Sequence, residues 1–86
     1  MKGLNILDKN VEICLLLDFY GNMLTERQRE IMTLYYEDNL SLSEVAEELG
    51  ISKQGVSDSI KRSEKTLYDT EAKLQLLKQH LAKEDK

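Results

Sequence analysis

Apolar residues recur along this chain at helical spacing, and polar or glycine positions divide them into four segments. The first runs from about Asp8, a suitable N-cap, to Tyr20. Its apolar members, Val11, Ile13, Cys14, Leu15, Leu16, Leu17, Phe19 and Tyr20, cover nearly the whole circumference, which predicts burial on more than one side. Gly21-Asn22 ends it. The second segment begins at Thr25, where Thr25-Glu26-Arg27-Gln28 has the spacing of a capping box. Ile31, Leu34 and Tyr35 continue it to a turn at Glu37-Asp38-Asn39. Tyr35 is expected in the core, and Tyr36 half-buried at the surface, where it could also stack on a base.

The third segment opens with a second capping box, Ser41-Leu42-Ser43-Glu44, and carries Leu42, Val45, Ala46 and Leu49 on one face. Gly50 stands where a left-handed C-terminal cap is expected. Ser52 caps the fourth segment, whose Val56, Ile60, Ser63, Leu67, Leu74, Leu77 and Leu81 follow a 3-4 spacing. A single helix of roughly 30 residues would be about 45 Å long, more than so short a chain can cover; the reading is a long C-terminal helix, with a break near Asp69-Thr70, which could act as a cap, as the alternative. The fold class is therefore all-α. A single domain over 1–86 contains a helix-turn-helix at about 41–65 and a long helical extension at about 66–84.

The helix-turn-helix occupies Leu40 to Arg62, LSLSEVAEELGISKQGVSDSIKR. Val45, Leu49, Ile51, Val56 and Ile60 can interlock as its core, and the small Ala46 lets the two helices cross closely. In such a unit the N-terminal part of the second helix meets base edges in a groove. The candidate nucleic-acid-binding residues are accordingly Lys53, Gln54, Ser57, Lys61, Arg62 and Lys65. Glutamine can pair with adenine, and lysine can reach guanine or phosphate. Asp58 works against this face, because a carboxylate repels phosphate. Gly55 either permits close approach of another backbone or is a tolerated surface glycine.

The charge distribution sharpens this picture. The chain carries −4 overall, yet residues 53–65 carry +2 against −6 for residues 1–52 and zero for 66–86. The one positive stretch is thus the second helix of the motif. Glu44, Glu47 and Glu48 form a solvated acidic face beside it. No nucleophile–base pair, phosphate-binding glycine loop or metal-ligand spacing around His80 is visible, so no enzyme, cofactor or metal is expected. Cys14 is a lone cysteine among apolar neighbours and is expected to be a buried thiol. Met1 to Leu7 lacks the pattern of a signal peptide and no apolar run is long enough for a membrane span, which points to the cytoplasm.

Leu24 to Glu30, Leu34-Tyr35-Tyr36 and the motif together resemble region 4 of bacterial sigma factors. More closely, the chain resembles the YlxM family of helix-turn-helix proteins. The resemblance rests on Asp18-Phe19-Tyr20 closing the first helix, the same Leu-Tyr-Tyr stretch, the SLSEVAEELGIS segment and the D-x-I-K-R-x-E-K run from Asp58 to Lys65. It covers about Leu15 to Leu81. Lys53, Gly55 and Ser57 depart from it, standing where arginine, alanine and tyrosine are common. Many relatives continue past the position of Leu81 into a charged tail, so a short member or a trimmed chain is expected. The resemblance implies a regulatory role in protein targeting, through signal recognition particle RNA or the particle's GTPase.

Two function classes follow. One is a nucleic-acid-binding regulator; the other is a protein-interaction subunit that contacts signal recognition particle components without reading DNA. A homodimer is expected through the first helix and the Leu67, Leu74, Leu77 and Leu81 stripe. The alternative is that the last helix breaks and folds back onto the first within one chain.

Overall fold

The computed structural model describes residues 8–84, and the expectation about Met1 to Leu7 lies outside them. Five α-helices follow one another, and no strand occurs among the described residues. They are α1 (Lys9–Tyr20), α2 (Glu26–Met32), α3 (Leu42–Leu49), α4 (Lys53–Leu74) and α5 (Leu76–Glu84). A 3-10 turn, Gly21–Met23, follows α1, and a π turn, Thr33–Glu37, extends α2. The chain is all-α, with a helix-turn-helix formed by α3 and α4.

Local chemistry sets most helix starts. The Asp8 carboxylate accepts from the Asn10 amide at 3.1 Å. Thr25 and Gln28 form a reciprocal capping box, as do Ser41 and Glu44. The Ser52 hydroxyl accepts from the Gly55 amide at 2.9 Å. Gly50 is left-handed (φ 68°), and the Gly50 and Ile51 amides both donate to the Ala46 carbonyl, which closes α3 in a Schellman motif.

Helix α4 is the central axis, touching α1, α2 and α3 along its length. Its buried stripe is Val56, Ile60, Ser63 and Leu67. Facing it are Ile13, Leu16 and Leu17 of α1, Ile31 and Met32 of α2, and Val45 of α3. Within the motif, Val45, Val56 and Ile60 are buried as expected, whereas Leu49 and Ile51 are half-buried and pack on the core edge. On α1, Val11 and Phe19 are exposed, so the apolar circumference of that helix is only partly covered. Cys14 is half-buried rather than buried, and burial, with Glu37 and Asp18 nearby, pushes its thiol pKa up.

Two expectations need correction. Tyr36 is the core residue (8% exposed) and Tyr35 is half-buried, the reverse of the sequence reading. The cause is the π turn: one extra residue per turn rotates Tyr36 inward, where its hydroxyl donates to Glu64 of α4. Secondly, the long helix breaks at Gln75 (φ 55°), not at Asp69-Thr70. Thr70 spends its hydroxyl on the Thr66 carbonyl inside α4, at 2.7 Å, and does not cap. Leu74, one residue before the break, is consequently exposed. Of the two readings of Gly55, close approach of another backbone does not occur; a Cβ there would meet the capping Ser52 hydroxyl oxygen at 3.1 Å.

Beyond Gln75 the chain reverses. Helix α5 lies against α1, burying Leu77 and half-burying Leu81. The fold-back alternative is what the single chain does. Phe19, Met23, Leu74 and Leu76 remain exposed.

Candidate nucleic-acid interface

The αL cap at Gly50 reverses the chain and Ser52 restarts it, so the first turns of α4 bury Val56 and Ile60 on one side and present the other side to solvent. Gln54, Asp58, Lys61, Arg62 and Lys65 recur at intervals of three and four residues, so they share one face of α4, opposite Val56, Ile60, Ser63 and Leu67. All five are exposed, and Lys53 is exposed at the first helical position. Ser57 is half-buried at the edge of this face. The structure thus brings Gln54, Lys61, Arg62 and Lys65 to one exposed face, with Ser57 at its margin, whereas Lys53 is exposed at the helix start but lies off that face by helical periodicity.

The charges on this face are unevenly engaged. Lys53, Lys61 and Arg62 have no ion-pair or hydrogen-bond partner among the described residues. Lys65 pairs with Asp69 at 3.0 Å, an exposed i,i+4 pair of the kind that contributes little and can open. Asp58 sits in the middle and accepts from the Gln54 side-chain amide at 3.0 Å. That contact orients Gln54 and occupies one of its two N–H donors. Arg62 and Asp58, with Thr25 and Gln28 at the start of α2, line a shallow surface pocket.

Tyrosine–glutamate bonds anchor α4 beneath this surface. Tyr68 of α4 donates to Glu12 Oε1 at 2.5 Å, and Tyr36 of the π turn donates to Glu64, which also lies 3.6 Å from Lys9 Nζ. Burial, reinforced by the accepting carboxylates, raises the pKa of both tyrosines, so they remain protonated donors at neutral pH. The sequence reading missed Lys9 and Tyr35 as residues beside the face, and weighed Tyr36 only as a surface residue that could stack on a base. They reach it from 17 or more positions away in the chain, and no spacing rule links them to α4.

Among the described residues no group of three or more His, Cys, Asp or Glu side chains is placed to hold a metal. His80 instead packs edge-on against Phe19, with ring centroids 5.7 Å apart. No described helix is long and apolar enough to cross a membrane.

Comparison with known proteins gives a consistent result. The family profile described as "Putative helix-turn-helix protein, YlxM / p13 like" matches residues 7–85. A UPF0122 protein of Clostridium botulinum is 47% identical over 78 residues, which are 91% of this chain and 72% of that relative. A UPF0122 protein of Halalkalibacterium halodurans is 51% identical over 72 residues, 84% of this chain and 66% of the relative. One from Bacillus cereus is 50% identical over the same length and shares. The chain spans about two thirds of the length of the curated relatives it matches.

Proposed function

We propose that this chain, which belongs to the UPF0122 family of YlxM/p13-like helix-turn-helix proteins, is a non-catalytic regulator that binds nucleic acid through the N-terminal half of α4. The observation that carries the reading is the set of exposed, unpaired cations on the motif's second helix, Lys61 and Arg62 on one face and Lys53 at the helix start, in a chain that is otherwise acidic. Lys61, Arg62 and Lys65 would neutralise phosphates, while Lys53 and Gln54 at the helix start would meet base edges. The finer reading, contact with signal recognition particle RNA or the particle's GTPase in the cytoplasm, has the family resemblance as its support. A pull-down from lysate with and without nuclease tests it.

Binding to a duplex, followed by fluorescence anisotropy, tests the main reading. With three or four phosphate contacts, affinity should fall on the order of 100-fold between about 50 and 200 mM salt. Charge reversal of Lys61 and Arg62 together should abolish binding. Normal binding by that double variant would show that the face is wrong.

The protein-interaction reading has its own support in Phe19, Met23, Leu74 and Leu76, four large apolar side chains left exposed. A homodimer through them would suit a two-fold site with one motif per half. Sedimentation at micromolar concentration distinguishes the states, and a single 10.0 kDa species would rule the dimer out.

A further inference from the structure

A cleft adjoins the α4 face and shares Ser57 and Lys61 with it. A cavity of about 230 Å³ opens where the start of α1, the π turn, the first turn of α3 and the flank of α4 meet. Its walls include Lys9, Tyr35, Ser57 and Lys61. The Tyr35 hydroxyl, the Ser57 hydroxyl and the Lys61 ammonium have no hydrogen-bond or ion-pair partner among the described residues. Three unpaired donors around one cavity form an arrangement that favours an acceptor-rich, negatively charged ligand.

One carboxylate, Glu64, shares the wall. It is already engaged: the Tyr36 hydroxyl donates to it, and Lys9 Nζ lies 3.6 Å away. The two lysines outweigh it, and the Lys9 contact is long enough to be shared with a second anion. Ser57 and Lys61 belong to α4 and Leu42 to the first turn of α3, so the cavity lies beside the groove-reading surface, on the flank where a helix-turn-helix meets the sugar-phosphate backbone.

We propose that the cleft walled by Lys9, Tyr35, Ser57 and Lys61 binds a backbone phosphodiester of the duplex whose groove α4 enters. This rests on the nucleic-acid reading above. It assigns contacts to α1 and to the π turn, outside the helix-turn-helix. Tyr35 supplies a neutral donor, and Lys9 supplies a charge that it shares between Glu64 and the phosphate. Tyr36 also lines the cleft but is mostly buried and bonded to Glu64, so the hydroxyl that the π turn leaves unpartnered there is that of Tyr35.

The test uses the full chain, a random-sequence DNA duplex and an RNA duplex as probes, with anisotropy recorded over a series of salt concentrations. Tyr35→Phe keeps the ring and removes only the hydroxyl. It should weaken binding about three- to tenfold with the salt slope unchanged, the signature of a lost neutral hydrogen bond. Lys9→Met should reduce the slope of log affinity against log salt by about 0.9, one phosphate contact. Thermal unfolding of each variant shows whether the fold is intact, and a packing defect would lower the melting temperature without this division between affinity and slope. Wild-type affinity and slope in both variants, alongside lost binding in the Lys61/Arg62 charge reversal, would empty the cleft and leave the α4 face standing. A wild-type chain that binds neither duplex would overturn the nucleic-acid reading and this inference together.

Discussion

The Tyr20 hydroxyl donates a 2.6 Å hydrogen bond to Glu71 Oε1 across 51 residues of chain, and this pair is the hinge on which α5 turns. Glu71 is buried, and its carboxylate also accepts from the Leu77 and Lys78 amides at 3.1 and 3.0 Å. The Tyr20 oxygen in turn accepts from the Leu76 amide at 3.0 Å. Three amides in the first turn of α5 are therefore satisfied from α4 and α1, and a carboxylate at a helix N-terminus is favoured by the helix dipole as well. Burial and the Glu71 hydrogen bond raise the pKa of Tyr20, which keeps it a donor.

Tyr20→Phe should cost about 1.5–3 kcal/mol, the range for a hydrogen bond to a charged group. Hydrogen exchange is the diagnostic measurement. The Leu76, Leu77 and Lys78 amides should lose protection while those of α2 keep theirs. Unchanged exchange at the start of α5 would mean that Leu77 packing alone holds the helix.

Core substitutions should separate buried from half-buried positions. Leu67 is fully buried in α4, and Leu67→Ala should cost about 2–5 kcal/mol. Leu49, half-buried at the end of α3, should cost about 1 kcal/mol on the same change. The Ser63 hydroxyl is buried with no partner among the described residues, so Ser63→Ala should stabilise by about 1 kcal/mol. Chemical denaturation of the three variants reads all of these, and equal losses at Leu67 and Leu49 would contradict the burial pattern.

Alkaline pH should weaken the fold through Tyr36 and Tyr68. Their phenols titrate above the ordinary value of about 10 because burial, and then the Glu64 and Glu12 carboxylates, disfavour the phenolate. Below about pH 10 both folded and unfolded states hold the protons, and the stabilisation is complete. Above it the unfolded state releases them first, so stability falls as pH rises towards the folded-state values. Unfolding free energy measured from about pH 8 to 12 should decline at the upper end. Tyr68→Phe should flatten that decline, whereas an identical slope in the variant would exclude Tyr68 as a source.

Asp58→Asn should raise duplex affinity about three- to tenfold at low salt, and less at high salt, by removing the one carboxylate from the middle of the α4 face. Titrations of the same duplex at two salt concentrations measure both effects. Weaker binding, confined to particular sequences, would instead identify Asp58 as an acceptor for a cytosine amino group.

What the sequence determines here is local. The capping boxes at Thr25 and Ser41, the Ser52 cap and the left-handed Gly50 join residues only a few positions apart, so spacing alone discloses them. The exposed face of α4 is legible for the same reason, because helical periodicity places Gln54, Lys61, Arg62 and Lys65 opposite Val56 and Ile60 once the helix start is known. Tertiary structure alone decides where the long helix ends, which tyrosine enters the core and what flanks the interface. Gln75 takes a left-handed conformation that nothing in its type demands, since Tyr20 and Glu71, brought together from α1 and α4, satisfy the amides of the next helix. The π turn has no composition signal, yet its extra residue buries Tyr36 and leaves Tyr35 half-buried. Lys9 reaches the flank of α4 only because α1 packs along it, 55 residues before Glu64 in the chain. Such contacts depend on how helices cross, and a pattern with the period of one helix holds no information about its neighbour.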